Sequence, residues 1–440
     1  MRYFFVLIIV LLLQSCKKTT SADISVHEYH KTMDKITSII VHDVFSPPVA
    51  SRIYCYSSLA GYEVLRNENT KYQSFAGFLK DMPKIQKPNS TQKIDFKMAS
   101  IIAMSSMGKK LIFSEKEMQK FQDSLFGIWE DNDKEVFNNS KMYADSVVSQ
   151  LSKWMKKDNY AQTRTMPKYT VIPHEEGRWQ PTPPSYMAAI EPHWSKMRTW
   201  LIDSSAQFKP QKPTPFSKDL NSQFMKEAKA VMEAGNLVRK KGNQCDSMNV
   251  AKFWDCNPYV TVQQGHMMFA TKKITPGGHW INICKIACLQ SKADIMKTSY
   301  AYVRVSLALA DGFISCWDEK YRSNVIRPET VINKYLDPAW KPLLQTPPFP
   351  EYTSGHSVVS GATSTVLTKV FGNNFSFNDT SEIPFGLPAR KFKSFNHAAD
   401  EAAISRFYGG IHYMPAIING VEQGRNIGKL QNLKLKGIVK

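Results

Sequence analysis

Apolar residues recur at helical spacing along most of this chain, and few stretches alternate with period two. Met98, Ile101, Ile102, Met104 and Met107 mark one such stretch, which ends at a polar break. Val147, Val148, Leu151 and Trp154 mark another within Ser146–Met155. Residues three and four apart share one face of a helix, so both patterns predict helices with a buried stripe. The texture changes over 166–216, where prolines stand at 167, 173, 181, 183, 184, 192, 210, 213 and 215. Proline lacks the amide a helix needs and pushes the preceding residue toward extended backbone, so this segment reads as a loop-rich crossing. Helical texture returns from about Lys218. Residues 298–320 (TSYAYVRVSLALADGFISCWDEK) are apolar on nearly every face, which predicts a helix in the middle of a large helical body. Ser357–Val370 reads as a further helix, and the last amphipathic one carries Ile417, Ile418, Val421 and Ile427 on one face. No strand–helix alternation and no repeat of about 20–50 residues is evident. The pattern predicts an all-α fold, with an N-terminal helical region over 26–165 and a helical bundle with the denser core over 166–440.

The first residues differ from the rest. Arg2 precedes Phe4–Leu13, an unbroken apolar run of ten residues. A bilayer span needs about 20 apolar residues, so this run is too short to be one. Leu13-Gln14-Ser15-Cys16 follows at once, with a small residue before the cysteine. This predicts a secretory signal over 1–15 ending in a lipobox, with Cys16 carrying lipid and a polar tether over 16–25. The expected location is across the inner membrane, lipid-anchored in the periplasm or at the outer membrane of a Gram-negative bacterium. Of the other cysteines, Cys284 and Cys288 lack a clustered histidine and read as small buried hydrophobes, while a Cys245–Cys256 pairing stays open.

Charge narrows the picture. The chain of 440 residues has 57 Lys+Arg against 38 Asp+Glu, a formal charge of +19, with 42% hydrophobic residues. That apolar content excludes a disordered basic tail. The excess leaves nucleic acid, a membrane surface or a small anion as candidate partners. The basic residues are scattered rather than interleaved with aromatics, apart from 429–440, which argues against nucleic acid.

Three clusters near the C-terminus point to the anion. Six residues separate Lys320 from Arg327-Pro328; after 24 more comes Thr353-Ser354-Gly355-His356; after 48 more comes Ser405-Arg406, with five residues between Arg406 and His412. Lys320, at the end of the buried helix, supplies a point charge. Arg327 offers a planar fork of donors suited to two oxygens of a tetrahedral anion, and the proline after it turns the chain out of the helix. Ser354, Gly355 and His356 open a helix whose first amides favour an anion, with Gly355 allowing close approach. Arg406 closes another helix before Gly409-Gly410, and His412 begins the last one. Together they offer three cations, a hydroxyl, amides and two histidines, one to bond a central atom and one to move protons.

In order and spacing these clusters resemble the signature of the vanadium-dependent haloperoxidase and type 2 phosphatidic acid phosphatase superfamily. Outside them the chain is most similar to bacterial vanadium haloperoxidases of the iodoperoxidase type from marine flavobacteria. Gly177–Pro184, Pro192-His193-Trp194, Phe253-Trp254, Pro276–Trp280, Leu309–Asp311 and Ser315–Tyr321 carry that likeness, which covers roughly 170–430. The resemblance implies a vanadate cofactor bonded by His412. It implies that Lys320, Arg327, Ser354, Gly355 and Arg406 hold the oxygens, and that His356 acts as acid–base. It further implies that Asp311 orients Arg406, unless it pairs another cation, and that Trp317 and Phe349 line a halide pocket, where spacing alone would read both as core aromatics. The implied reaction is oxidation of a halide, iodide foremost, by hydrogen peroxide to hypohalous acid. The organic acceptor and a homo-oligomeric state stay open. Because vanadate resembles the pentavalent transition state of phosphate, the same residues suit an acid phosphatase with His412 as phosphohistidine. A basic lipoprotein that only binds polyanions is the remaining alternative. Thr353 and Ile326 depart from the family's usual proline and tryptophan, and Phe349 stands where bromoperoxidases tend to carry histidine.

Overall fold

The structure is a computed structural model that describes residues 24–440 except 173, 265–266 and 271. The predicted signal segment, Cys16 and nearly all of the tether lie outside the described residues.

Fourteen α-helices are formed among the described residues. The N-terminal part holds α1 (Val26–His42), α2 (Pro47–Leu65), α3 (Phe96–Lys109), α4 (Glu115–Asn132), α5 (Lys134–Met155) and a single turn, α6 (Tyr160–Thr163). The second part holds α7 (Gln223–Lys241), α8 (Asp246–Phe253), α9 (Pro276–Gln290), α10 (Ile295–Ser323), α11 (Pro328–Tyr335), α12 (Gly355–Phe371), α13 (Phe395–Tyr408) and α14 (Met414–Lys434). Two antiparallel hairpins interrupt them: β1 (Thr261–Gln264) with β2 (Met267–Ala270), and β3 (Phe377–Asp379) with β4 (Arg390–Phe392).

Local chemistry sets many of the helix starts. Ser25, Ser46, Asp95, Thr275, Asp294, Ser354 and Ser394 each accept a first-turn amide from an extended N-cap. Proline occupies the first turn of α2, α9, α11 and α14, where its missing amide costs nothing. The stripes read in the sequence lie inside: Met98, Ile101, Ile102, Met104 and Met107 of α3 and Val147, Val148, Leu151 and Trp154 of α5 are buried. No described helix is long and apolar enough to cross a membrane.

The all-round apolar segment becomes α10, 29 residues long and buried over most of its length. It is the axle of the molecule, with α2, α9 and α12 packed against it. The largest core cluster draws side chains from α1–α5 as well as from α9, α10 and α12. Residues 166–216 contain no α-helix, only a 3-10 turn at Trp194–Lys196. The crossing is pinned to the end of α10: Trp179 N–H donates to the Asn324 carbonyl at 3.0 Å, and Ile326 N–H to Gly177 at 3.1 Å.

Helices α12 and α14 make the most extensive helix pair. A Cβ at Gly424 would stand 2.0 Å from the Val358 carbonyl oxygen, and one at Gly428 would stand 2.7 Å from that of Ala362. Backbone therefore meets backbone along this seam. The expected face of α14 holds in part. Ile417, Val421 and Ile427 are buried, but Ile418 is 59% exposed. One residue along a helix is a turn of about 100°, which carries Ile418 off the stripe.

Candidate functional site

Lys320, Arg327, Ser354, Gly355, His356, Arg406 and His412 belong to different elements, and α10, α11, α12, α13 and α14 deliver them to one region. Lys320 lies one turn before the end of α10 and is fully buried. Its Nζ donates to the carbonyls of Pro350, Glu351 and Thr353 at 2.9, 3.1 and 2.6 Å. Burial, with the Arg327 charge adding to it, brings this ammonium down to about 7. Arg327 has the extended backbone expected before proline. Its Nε donates to the Phe349 carbonyl and its Nη1 to that of Ile411, both at 2.9 Å. Its Nη2 is buried without a partner, and burial lowers the guanidinium to about 10.

Ser354 caps α12 through a bond from Ser357 N–H. Gly355 and His356 follow and line a cavity with Trp317, Phe349, Arg406, Ile411 and His412. A Cβ on Gly355 would meet only the Trp317 ring, at 3.7 Å, so a side chain there would fill the cavity rather than strain the fold. His356 hydrogen-bonds the Trp254 carbonyl, and its Nε2 is buried without a partner. Burial and then Arg406 hold this imidazole well below its usual range, so it is neutral at pH 7. Arg406 donates through Nε to Ser405 Oγ at 3.0 Å and through Nη2 to the Ala251 carbonyl at 3.3 Å.

His412 precedes α14, whose N-cap is Tyr413. Its Nδ1 lies 2.8 Å from Glu351 Oε1, which also accepts the Tyr413 N–H at 3.0 Å. An oxygen already serving as acceptor to one N–H accepts from His412 too. Nδ1 therefore carries the proton and Nε2 keeps its lone pair, 3.2 Å from Arg327 Nη1. Burial, then Arg327 and Lys320, keep the ring neutral. Glu351 is the residue that sequence reasoning missed. Its one visible signal is an acid set between Pro350 and the Ser-Gly-His motif, in an otherwise apolar, proline-rich run.

Trp317 and Phe349 face each other with ring centroids 5.0 Å apart. The Trp317 Nε1–H donates to the Ile190 carbonyl in the crossing at 3.2 Å, which fixes its ring. Lys320 Nζ and the Arg327 guanidinium sit 4.9 and 5.1 Å from the Phe349 centroid, so its aromatic face adds to the carbonyls that already meet both cations.

Asp311 does not orient Arg406. Its Oδ1 accepts Trp200 N–H at 2.8 Å, and its Oδ2 accepts Leu201 and Ile202 N–H at 2.8 and 3.2 Å. Its carboxylate is committed to the proline-rich crossing. The acid that raises Arg406 most is Asp255. The Cys245–Cys256 pairing does not form, and Cys284 and Cys288 are buried free thiols.

On the cavity wall His356 Nε2 is a buried lone pair without a donor; beside it the His412 Nε2 lone pair accepts the Arg327 Nη1–H, and Arg327 Nη2 is a buried donor without an acceptor. Cations, the space a Cβ would take at Gly355 and a neutral imidazole fit a tetrahedral oxyanion whose central atom accepts a nitrogen.

Known proteins share this fold. A family model for the VCPO second helical-bundle domain matches residues 300–440. The chain is similar to the solved structure of a bacterial vanadium-dependent iodoperoxidase at 53% identity, covering 94% of this chain and 97% of that one with a TM-score of 0.91. Holo and apo structures of a bacterial vanadium-dependent chloroperoxidase share the fold at a TM-score of 0.66, with 14% and 13% identity. They cover 93% and 90% of this chain, and 93% and 95% of their own. No curated protein matches the chain.

Proposed function

This chain belongs to the vanadium-dependent haloperoxidases, and from that premise we propose that it oxidises iodide with hydrogen peroxide, using the residues gathered around Gly355. The single observation that carries the assignment of residues is that His356, Arg406 and His412 line one cavity, with Arg327 hydrogen-bonded to His412 Nε2 and keeping a buried donor without an acceptor. Vanadate is the cofactor. His412 Nε2 would bond the vanadium, and Lys320, Arg327, Ser354, Gly355 and Arg406 would hold its oxygens. When bound, vanadate supplies a Lewis acid that activates peroxide without itself changing oxidation state.

The chain's own residues do the rest. Glu351 holds the His412 proton on Nδ1 and so keeps Nε2 available as ligand. Three carbonyls hold the Lys320 Nζ in place, so its position needs no reorganisation. His356 is neutral with Nε2 free, ready to take a proton from entering peroxide and return it to the departing hypohalous acid. Trp317 and Phe349 give the halide an apolar, polarisable wall that sheds water. Phe349 at this place favours the easily oxidised, weakly hydrated iodide. Lipid attachment at Cys16 would hold the enzyme at an envelope membrane, where the oxidant leaves the cell.

One assay tests the reading. Purified protein is loaded with orthovanadate and given peroxide with iodide, bromide or chloride separately, and p-nitrophenyl phosphate is offered to the vanadate-free protein in parallel. Triiodide formation well above the bromide and chloride rates is expected. Brisk phosphate release without halide oxidation would transfer the assignment to the phosphatase chemistry of the same cage.

A further inference from the structure

A second cluster of metal-type side chains adjoins the cavity and takes no part in holding the oxyanion. Cys256 follows α8, His279 is on α9, and Glu382 follows β3; all three are buried. His279 Nδ1 lies 3.2 Å from Glu382 Oε1 and 3.4 Å from Cys256 Sγ, and that sulfur lies 3.9 Å from the same oxygen. A tetrahedral zinc with bonds of about 2.0 Å to nitrogen and oxygen and about 2.3 Å to sulfur has ligand–ligand edges of roughly 3.3–3.6 Å. The three edges fall around that range.

The surroundings are those of a ligating histidine. The other ring nitrogen, Nε2, lies 2.8 Å from Asp379 Oδ2, and Asp379 Oδ1 is fixed by the Ser381 N–H at 2.9 Å. A carboxylate behind the ring places the proton on Nε2 and turns the Nδ1 lone pair toward Cys256 and Glu382. Trp254 stacks on the imidazole at 4.4 Å between centroids and holds its plane. One thiolate, one imidazole and one carboxylate form a mixed donor set that suits zinc rather than calcium or magnesium.

We propose that Cys256, His279 and Glu382 bind one divalent cation of the zinc class, with Asp379 as the outer partner of His279 and water as the fourth ligand. The charges balance to within one unit: thiolate and two carboxylates give −3 against +2. Binding displaces the thiol proton to solvent. Cys256 lines the same cavity as His356, Arg406 and His412. Its sulfur lone pair, given to the cation, is withheld from the oxidant made next to it.

The test needs no turnover. Full-length protein is stripped with chelator, dialysed against zinc, and analysed for zinc and vanadium by mass spectrometry. About one zinc per chain is expected, unchanged by adding or removing vanadate, and lost in both Cys256→Ser and His279→Gln. Cobalt replacing zinc should give a thiolate-to-cobalt charge-transfer band that is absent from Cys256→Ser, with circular dichroism confirming that each variant is folded. Stripped protein that folds and takes up no zinc would overturn the proposal, leaving an imidazolium held between two carboxylates. Zinc retained in full by folded Cys256→Ser and His279→Gln would overturn it equally.

Discussion

Two buried groups of charges, one around α2 and one around α12, both helices packed on α10, are built on different rules. Around α2, Arg52 Nε meets Asp158 Oδ2 at 2.7 Å, and Tyr56 O–H donates to the same oxygen at 2.9 Å. Arg198 donates to Tyr56 O at 2.8 Å and lies 4.0 Å from the centre of the Trp154 ring. Arg52 there meets a carboxylate, while Arg198 meets a hydroxyl and an aromatic face and keeps its Nε without a partner. Around α12, by contrast, Lys320 is met by carbonyls, Arg406 by a hydroxyl and a carbonyl, and Arg327 keeps one nitrogen with no acceptor. A buried cation left without its counter-charge is costly, and folding tolerates it where a ligand supplies that charge. The α2 group is built around an ion pair, whereas Lys320, Arg327 and Arg406 have no ion pair among the described residues.

Substitutions on the two sides should separate activity from stability. The largest effect is expected for His412→Ala, which removes the imidazole that would bond vanadium. Vanadate retention by equilibrium dialysis and triiodide formation should both vanish, and turnover that survived would erase the contrast. Asp158→Ala should act the other way. It strands Arg52, and breaking a buried pair costs about 3–5 kcal/mol, read as a lower urea midpoint, while kcat of the folded fraction stays as in the parent. Lys320→Ala should lower kcat by roughly 10²–10³-fold, the usual cost of losing a preorganised charge at a reacting oxygen. Glu351→Gln should weaken vanadate binding by about 10-fold, since an amide can present its N–H to Nδ1 and turn the ring toward the wrong tautomer.

The smallest effect concerns Asp311, whose carboxyl is raised by burial to about 6 from an ordinary 3.8. Because the folded value is the higher one, the native chain holds a proton that the unfolded chain has released. Stability from this group is therefore greatest at low pH and falls as pH rises from about 4 to 6, by at most about 1.4 kcal/mol per pH unit. Asp311→Asn should flatten that slope in urea titrations and cost about 1–3 kcal/mol through crossing amides left unpaired.

Much of this was legible in the sequence, for a physical reason. Helix periodicity and caps are local, so α3, α5, α10 and α12 could be read from spacing, and the cage residues stand at helix ends where such signals are strong. What was not legible depends on partners far along the chain. Asp311 looked like a partner for Arg406, but its oxygens belong to amides about 110 residues earlier. Glu351 carries no spacing signature; its meaning comes from His412, 61 residues on. Cys256, His279 and Glu382 span 126 residues with nothing between them to announce a cluster. Ile418 was misplaced because a count of apolar residues does not fix the rotation of a helix.

The glycine seam between α12 and α14 has a consequence for the span of the cage. His356 stands at the start of one helix and His412 just before the other, so the gap between the two imidazoles is set where those helices touch. Side chains at an interface can hop between rotamers and absorb a change; two backbones in contact have nothing to rotate. The seam acts as a gauge block of fixed width. A single methyl at Gly424 would meet the Val358 carbonyl oxygen at 2.0 Å and would be felt as a wider jaw at the far end.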